Sequence, residues 1–178
     1  MDFRVSREAF LRVLTHVSSI VDSRSTIPIL SNIYLKCENN QIETRSTDMD
    51  ISIREFVSCD STKNGEATVN SRILTDIIRK TKKNSIVKCK LEGNRLIINS
   101  DNSVFELNAL SADEFPKFVP VDPTNSFELT IPQMKRLFNK TKFAISAEET
   151  RYYLNGIYFH TVANGSKTAL PVSYTHLR

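Results

Sequence analysis

Glycine is scarce in this chain: four residues of 178, at positions 65, 93, 156 and 165, and none falls into a GxGxxG or GxxxxGK[ST] pattern. Those patterns let the backbone close around phosphates, so nucleotide binding through either is excluded. Histidine is as sparse. His16, His160 and His176 lie far apart, without HExxH or a neighbouring cysteine pair, and read as ordinary surface or half-buried residues rather than ligands. The three cysteines, Cys37, Cys59 and Cys89, are odd in number and lack the short pair spacing of a metal site or a disulfide framework. They are expected to be reduced structural thiols. A long apolar run is missing too: the N-terminus, MDFRVSREAF, is charged from its second residue and never becomes a secretory signal or a membrane span. The expectation is a cytoplasmic protein with no membrane partner, no cofactor, no metal and, since no catalytic motif is found, no enzymatic activity.

What is present is an ordinary globular composition, 40% apolar and 25% charged, in a chain long enough to bury a real core. The net charge of +4 is too modest by itself to name a polyanionic partner, so its location matters more than its size. From Arg72 to Lys90 seven basic residues (Arg72, Arg79, Lys80, Lys82, Lys83, Lys88 and Lys90) face one acid, Asp76. Arg72, Asp76, Arg79 and Lys83 follow at four, three and four residues, which places them along the outward side of a helix predicted over about 71–82. A second helix carries Lys135, Arg136, Lys140 and Lys142 with no acid. Lysines and arginines on an outward helix face neutralise a phosphate backbone without reading sequence. A solvated face is the plainer account of one such helix; repetition on an equivalent element favours the phosphate reading. No aromatic residue is interleaved with the basic residues from Arg72 to Lys90, so base stacking onto single strands finds no support there.

The chain also repeats itself, and the second basic helix falls within the repeat. An offset of 124 aligns residues 3–35 with 127–159 without a gap, with identities at Phe3/Phe127, Arg12/Arg136, Thr26/Thr150, Leu30/Leu154, Ile33/Ile157 and Tyr34/Tyr158. The apolar pattern agrees at Val5/Leu129, Phe10/Met134, Val13/Leu137 and Leu14/Phe138. A repeat this long fits a duplicated domain rather than a solenoid unit. The expected organisation is a complete first domain at 1–120, a proline-marked linker at 121–126, and the start of a second domain at 127–178. The tail after about 163, ending TALPVSYTHLR, is expected to be foreign to that second domain.

Within the first domain the pattern predicts a strand at 2–5, Ser6 as helix N-cap, and a helix burying Phe10, Val13, Leu14, Val17, Ile20 and Val21. IYLKC, a turn at Glu38-Asn39-Asn40, QIETRS and a strand from Met49 to Val57 follow as a meander, in which Met49, Ile51, Ile53 and Val57 face inward. The helix at 71–82 places Ile73, Leu74, Ile77 and Ile78 on one face; KCKLEGNRLIIN reads as a hairpin and SVFELNAL as a last strand. Two helices and about eight strands, mostly in hairpins, indicate an α+β fold with helices over one face of a sheet. Asp48 and Asp50, two apart on a strand, could hold a divalent cation as in a nuclease, though polar strand faces and turns explain such a pair equally well.

The run SRSTIPILSNIYLK with TDMDISI, then LEGNRLIINS, SADEFP, MKRL and RYYLNGIYF in this order, resembles the bacterial DNA polymerase III beta subunit family over about residues 1–162. The resemblance implies repeated clamp-type domains, with antiparallel sheets outside and two helices per domain on an inner face around duplex DNA. It implies a non-enzymatic processivity factor, with the polymerase III catalytic subunit, a clamp loader and a second, head-to-tail copy as partners. It sets Arg79, Lys80, Lys82, Lys83, Lys135 and Lys140 toward phosphates and adds Arg24, while Glu148 stands where the family has another loop contact. It implies a dimer interface using Ile73, Ile77, Phe105 and Leu107, for which core packing is an equal alternative. Leu154 matches a position in a cleft that receives partner peptides, whose remaining parts, including a TDGHR-like motif, are not in this sequence. A metal-dependent nuclease through Asp48 and Asp50, and a plain basic DNA-binding module, remain as alternatives.

Overall fold

The first strand, β1 (Asp2–Ser6), turns Phe3 and Val5 inward and leads directly into α1 (Arg7–Val17), where Phe10, Val13, Leu14 and Val17 recur at helical spacing and are fully buried. A computed structural model describes residues 1–21, 26–117, 128–146, 156–159, 162–164, 167–169 and 172–174. It divides the chain into two compact units, Met1–Pro120 and Val121–Arg178.

In the first unit α1 is followed by a short 3₁₀ turn at Ser18–Ile20, a second at Pro28–Ser31, and the meander β2 (Asn32–Glu38), β3 (Gln41–Thr47) and β4 (Ser52–Ser58). The short β5 (Asp60–Lys63) precedes β6 (Gly65–Asn70), α2 (Ser71–Lys80) and a second meander, β7 (Ile86–Glu92), β8 (Arg95–Ser100) and β9 (Ser103–Leu110). The unit is therefore built twice over from strand, helix and three-stranded meander. Nine strands form one sheet in the order β4-β3-β2-β6-β9-β8-β7-β1-β5, every neighbour antiparallel. Each half lends its first strand to the other: β1 pairs with β7, and β6 with β2.

Alternation along the strands places Ile33, Leu35 and Cys37 of β2, Ile42 of β3, Val87 and Cys89 of β7, and Leu96 and Ile98 of β8 in one core with Leu74 and Ile78 of α2. Phe3 and Phe10 meet edge to face, ring centroids 6.1 Å apart at 86°. Burial of each such side chain contributes about 1.5–3 kcal/mol. The β2–β3 turn closes with Asn39 and Asn40 both at positive φ (51° and 57°), a conformation asparagine tolerates and a two-residue hairpin prefers. On the sheet's other face, Tyr34 stacks against Phe115 at 5.7 Å, Arg45 lies 4.8 Å over the Tyr34 ring, and the Tyr34 hydroxyl donates to Glu66. The SADEFP segment is thus pinned to the sheet by its phenylalanine.

Four expectations are corrected. The strand predicted from Met49 begins at Ser52, because Asp48–Ile51 forms a turn with Met49 at φ 84°; Met49 and Ile51 are exposed at 63% and 55% instead of facing inward. The second helix stops at Lys80, where Thr81 becomes extended, so Lys83 is no longer in helical register with Arg79. Ile73 is exposed, since Ser71, Leu74, Thr75 and Ile78 form the buried stripe of α2 and leave Ile77 half-buried at its edge. Ser6 occupies the N-cap position of α1, but its side chain makes no capping hydrogen bond.

In the second unit α3 (Ile131–Thr141) is followed by a 3₁₀ turn at Lys142–Ala144, and short strands pair as β10 (Ile157–Phe159) with β13 (Val172–Tyr174) and β11 (Val162–Asn164) with β12 (Lys167–Ala169). Adding 124 to the bounds of α1 and of its 3₁₀ extension gives those of α3 and its own. The stripe is less covered than in the first unit. Met134 and Leu137 are half-buried and Phe138 is exposed, because among the described residues of this unit no second helix packs on α3.

Candidate nucleic-acid interface

Asn70 starts α2 by accepting the Ile73 amide at 3.0 Å through its side chain, satisfying one of the unpaired donors of the first turn. Leu74 and Ile78 anchor the helix in the core, and three small hydroxyl residues let it approach α1 closely. Ser71 donates to Ser18 at 2.9 Å, and Ser18 and Thr75 are 3.0 Å apart. At the other end Arg7, buried in the first turn of α1, donates through Nε to the Ile78 carbonyl (3.2 Å) and through Nη2 to the Arg79 carbonyl (2.7 Å). Glu8 accepts the Asn84 amide at 2.7 Å, and that bond holds its carboxyl below the usual range. The two helices are therefore antiparallel and tied at both ends, and α1 fixes the last turn of α2 and the loop beyond it.

That last turn and loop carry the charge. Arg72, Arg79, Lys80, Lys82 and Lys83 are all exposed, the first three on α2 and the two lysines in the turn after it. Arg79 is paired with Asp76 at 2.6 Å, so part of its charge is neutralised locally; Arg72, Lys80, Lys82 and Lys83 have no ion pair among the described residues. Cations here also offset the negative end of the α2 dipole, which would otherwise repel a phosphate. Arg72 and Arg79 line a cleft of about 550 Å³ together with Ser18, Ser31, Asn70 and Asp76. In the second unit Thr130 and Gln133 form a capping box at the start of α3, and Lys135, Arg136 and Lys140 are exposed on the side away from Met134 and Leu137.

Two residues escaped the sequence reading. Arg12 is exposed on α1, at the position equivalent to Arg136 of α3; their identity across the repeat was the available signal. Arg7 looked like one more surface charge, and only the packing of α1 on α2 reveals what it holds. His16, also on the exposed side of α1, contacts the Glu55 carboxylate on β4 through Nδ1.

The other predicted residues divide. β9 pairs along its length with β8, but with β6 only through Leu110 and Ala109, so among the described residues Ser103–Asn108 has no strand on its second side. Ile73 is exposed at 53%; Ile77 and Phe105 are half-buried against the core; Leu107 is buried within it. Arg24, Glu148 and Leu154 lie outside the described residues. Asp48 and Asp50 do not share a strand face. Asp48 Oδ1 accepts the amides of Asp50 (3.0 Å) and Ile51 (2.7 Å) and so closes the turn before β4. No cluster of three metal-ligating side chains occurs among the described residues, and none of their helices is long and apolar enough to cross a membrane.

The profile of the DNA polymerase III beta subunit, N-terminal domain, matches residues 1–119. The beta sliding clamp of Caulobacter vibrioides is 38% identical over 172 residues, which is 96% of this chain and 46% of the relative; that of Pseudomonas aeruginosa is 32% identical over 158 residues, 88% and 43%. Among solved structures, Caulobacter crescentus pol III beta superposes with a TM-score of 0.91 at 38% identity, covering 99% of this chain and 48% of that one. A sliding clamp from Bartonella birtlesii bound to griselimycin gives 0.92 at 36%, covering 97% and 46%. The chain spans about half the length of the relatives it matches. With the profile covering 119 of its 178 residues, this chain belongs to the DNA polymerase III beta subunit family.

Proposed function

We propose that this chain is part of a DNA sliding clamp, a non-enzymatic processivity factor of the cytoplasm that encircles duplex DNA and tethers a replicative polymerase. The observation that carries this beyond family membership is the recurrence of exposed basic side chains on α2 and α3, helices of two successive units. Arg72, Arg79, Lys80, Lys82 and Lys83, with Lys135, Arg136 and Lys140, then face the phosphates, and Arg24 joins them. Weak contacts to phosphates alone let a ring slide, whereas tight or sequence-reading contacts would brake it.

In the same reading the unpaired stretch of β9 meets the edge of a second copy head to tail. Ile73, Ile77 and Phe105 contribute apolar surface there, and Leu107 fixes the strand from inside the core. Leu154 belongs to the cleft that takes peptides of the polymerase III catalytic subunit and the clamp loader.

Retention on DNA tests the proposal. The gene is completed to the length of its relatives, and the labelled product is loaded by its clamp loader onto a nicked circular plasmid, which is then linearised. Release on linearisation is expected. Retention on the linear product would overturn the ring and leave a protein that grips DNA directly.

A further inference from the structure

Cys37 and Cys59, twenty-two residues apart in sequence, come together inside the first unit with their sulfurs 3.9 Å apart. Cys37 points into the core from β2, opposite Gly65, and is fully buried. Cys59 sits between β4 and β5, where its amide donates to the Asn40 carbonyl at 2.9 Å and so holds it against the end of the β2–β3 hairpin. Its position differs from that of Cys37 in one respect that matters: it is 8% exposed and lines a shallow cleft of about 170 Å³ with Arg4, Ser58, Asp60 and Ile86. One residue of the pair thus borders a cleft open to solvent, and the sulfur of the other lies 3.9 Å from its own. Cys89 is buried from every side and has no such opening.

We infer that Cys37 and Cys59 are a peroxide-oxidisable pair that forms an intrachain disulfide between β2 and the β4–β5 junction. A hydroperoxide entering the cleft transfers one oxygen to the Cys59 sulfur, giving a sulfenic acid and releasing water, or an alcohol from an organic peroxide. The Cys37 sulfur then attacks the Cys59 sulfur, the S–O bond breaks, and the hydroxyl leaves with the Cys37 proton as a second water. The two thiols lose two electrons, and the peroxide gains them. The sulfurs must close from 3.9 Å to a bond of about 2.05 Å. Burial and the neighbouring Cys37 push the Cys59 thiol up to about 12, so it stays protonated at neutral pH and reacts slowly. The disulfide closes a loop containing all of β3 and β4.

The test treats the full chain with excess hydrogen peroxide, quenches it, and counts free thiols after denaturation. The count is expected to fall from the three present in the reduced protein to one, with the mass of two hydrogen atoms lost and a single linked peptide pair containing Cys37 and Cys59. Reduction should restore all three thiols, and the oxidised protein should melt several degrees higher. In Cys59→Ser, both remaining thiols should survive the same treatment. Survival of all three in the native chain would overturn the inference. Oxygen accumulating on Cys59 while Cys37 stays free, or a link involving Cys89 or a second chain, would overturn it equally.

Discussion

Arg7 and Glu43 show how little a charged residue's letter reveals about its role. Arg7 opens α1, yet its guanidinium terminates α2 by satisfying the carbonyls of Ile78 and Arg79, two acceptors that the helix itself leaves unpaired. Arg7→Met keeps the packed stem and removes both bonds, and should cost about 2–4 kcal/mol of stability in urea unfolding, with faster amide exchange in the last turn of α2. An unchanged midpoint would mean that water replaces the guanidinium without loss. Glu43 lies on β3 between Arg45 and Arg54, whose side chains both reach one of its oxygens. Burial pushes its carboxyl up, but the two arginines outweigh it and hold it below the ordinary range. A carboxyl depressed in the folded state contributes stability that is complete above its unfolded value, about 4.3, and is lost as pH falls through the folded value. Glu43→Gln should therefore destabilise at neutral pH and converge with the parent at low pH. Parallel urea curves at pH 7 and pH 3 measure this, and an equal gap at both would assign the loss to geometry rather than charge.

Among elements, those with strong periodicity were legible, and those decided by neighbours were not. The stripe of α1 and the turn pairs Asn39–Asn40 and Gly93–Asn94 marked β1, α1, β2, β3, β7 and β8 closely, because each carries its signal within a few residues. β4 was misplaced by three residues at its start, since MDI reads as alternation until Asp48 takes the backbone amides of the turn. On α2 the four apolar residues looked like one face, but the helix buries hydroxyls beside Leu74 and Ile78 and turns Ile73 out. The basic cluster was legible from composition. Its division into a paired Arg79 and freer lysines beyond the helix end was not, because that depends on where α2 stops. This division has a measurable outcome. In the completed protein, Lys82→Ala and Lys83→Ala together should weaken binding to short duplexes evenly across sequences and lower the salt-dependence slope by about 1 for each phosphate no longer neutralised. Arg79→Ala, with its partner Asp76 freed, should change the slope less. A slope unmoved by the lysine pair would remove the turn from the DNA-facing surface.

At the scale of the molecule, the repeat seen in the sequence is the larger of two. The 124-residue offset carries α1 onto α3 residue by residue, while inside the first unit a strand, a helix and a meander occur twice without a matching sequence signature. The outer repeat kept enough identity to be read; the inner one survives only in topology, because a half-buried strand tolerates many residues provided its alternation holds. The strand exchange between those inner halves constrains how the chain is made. β1 leaves the ribosome before either of its partners, β5 and β7; β7 follows about 80 residues later, and at 5–20 residues per second that is roughly 4–16 seconds of waiting. During that interval β1 has only the short β5 to pair with. β1 stays a client of whatever shelters nascent chains until β7 has been translated.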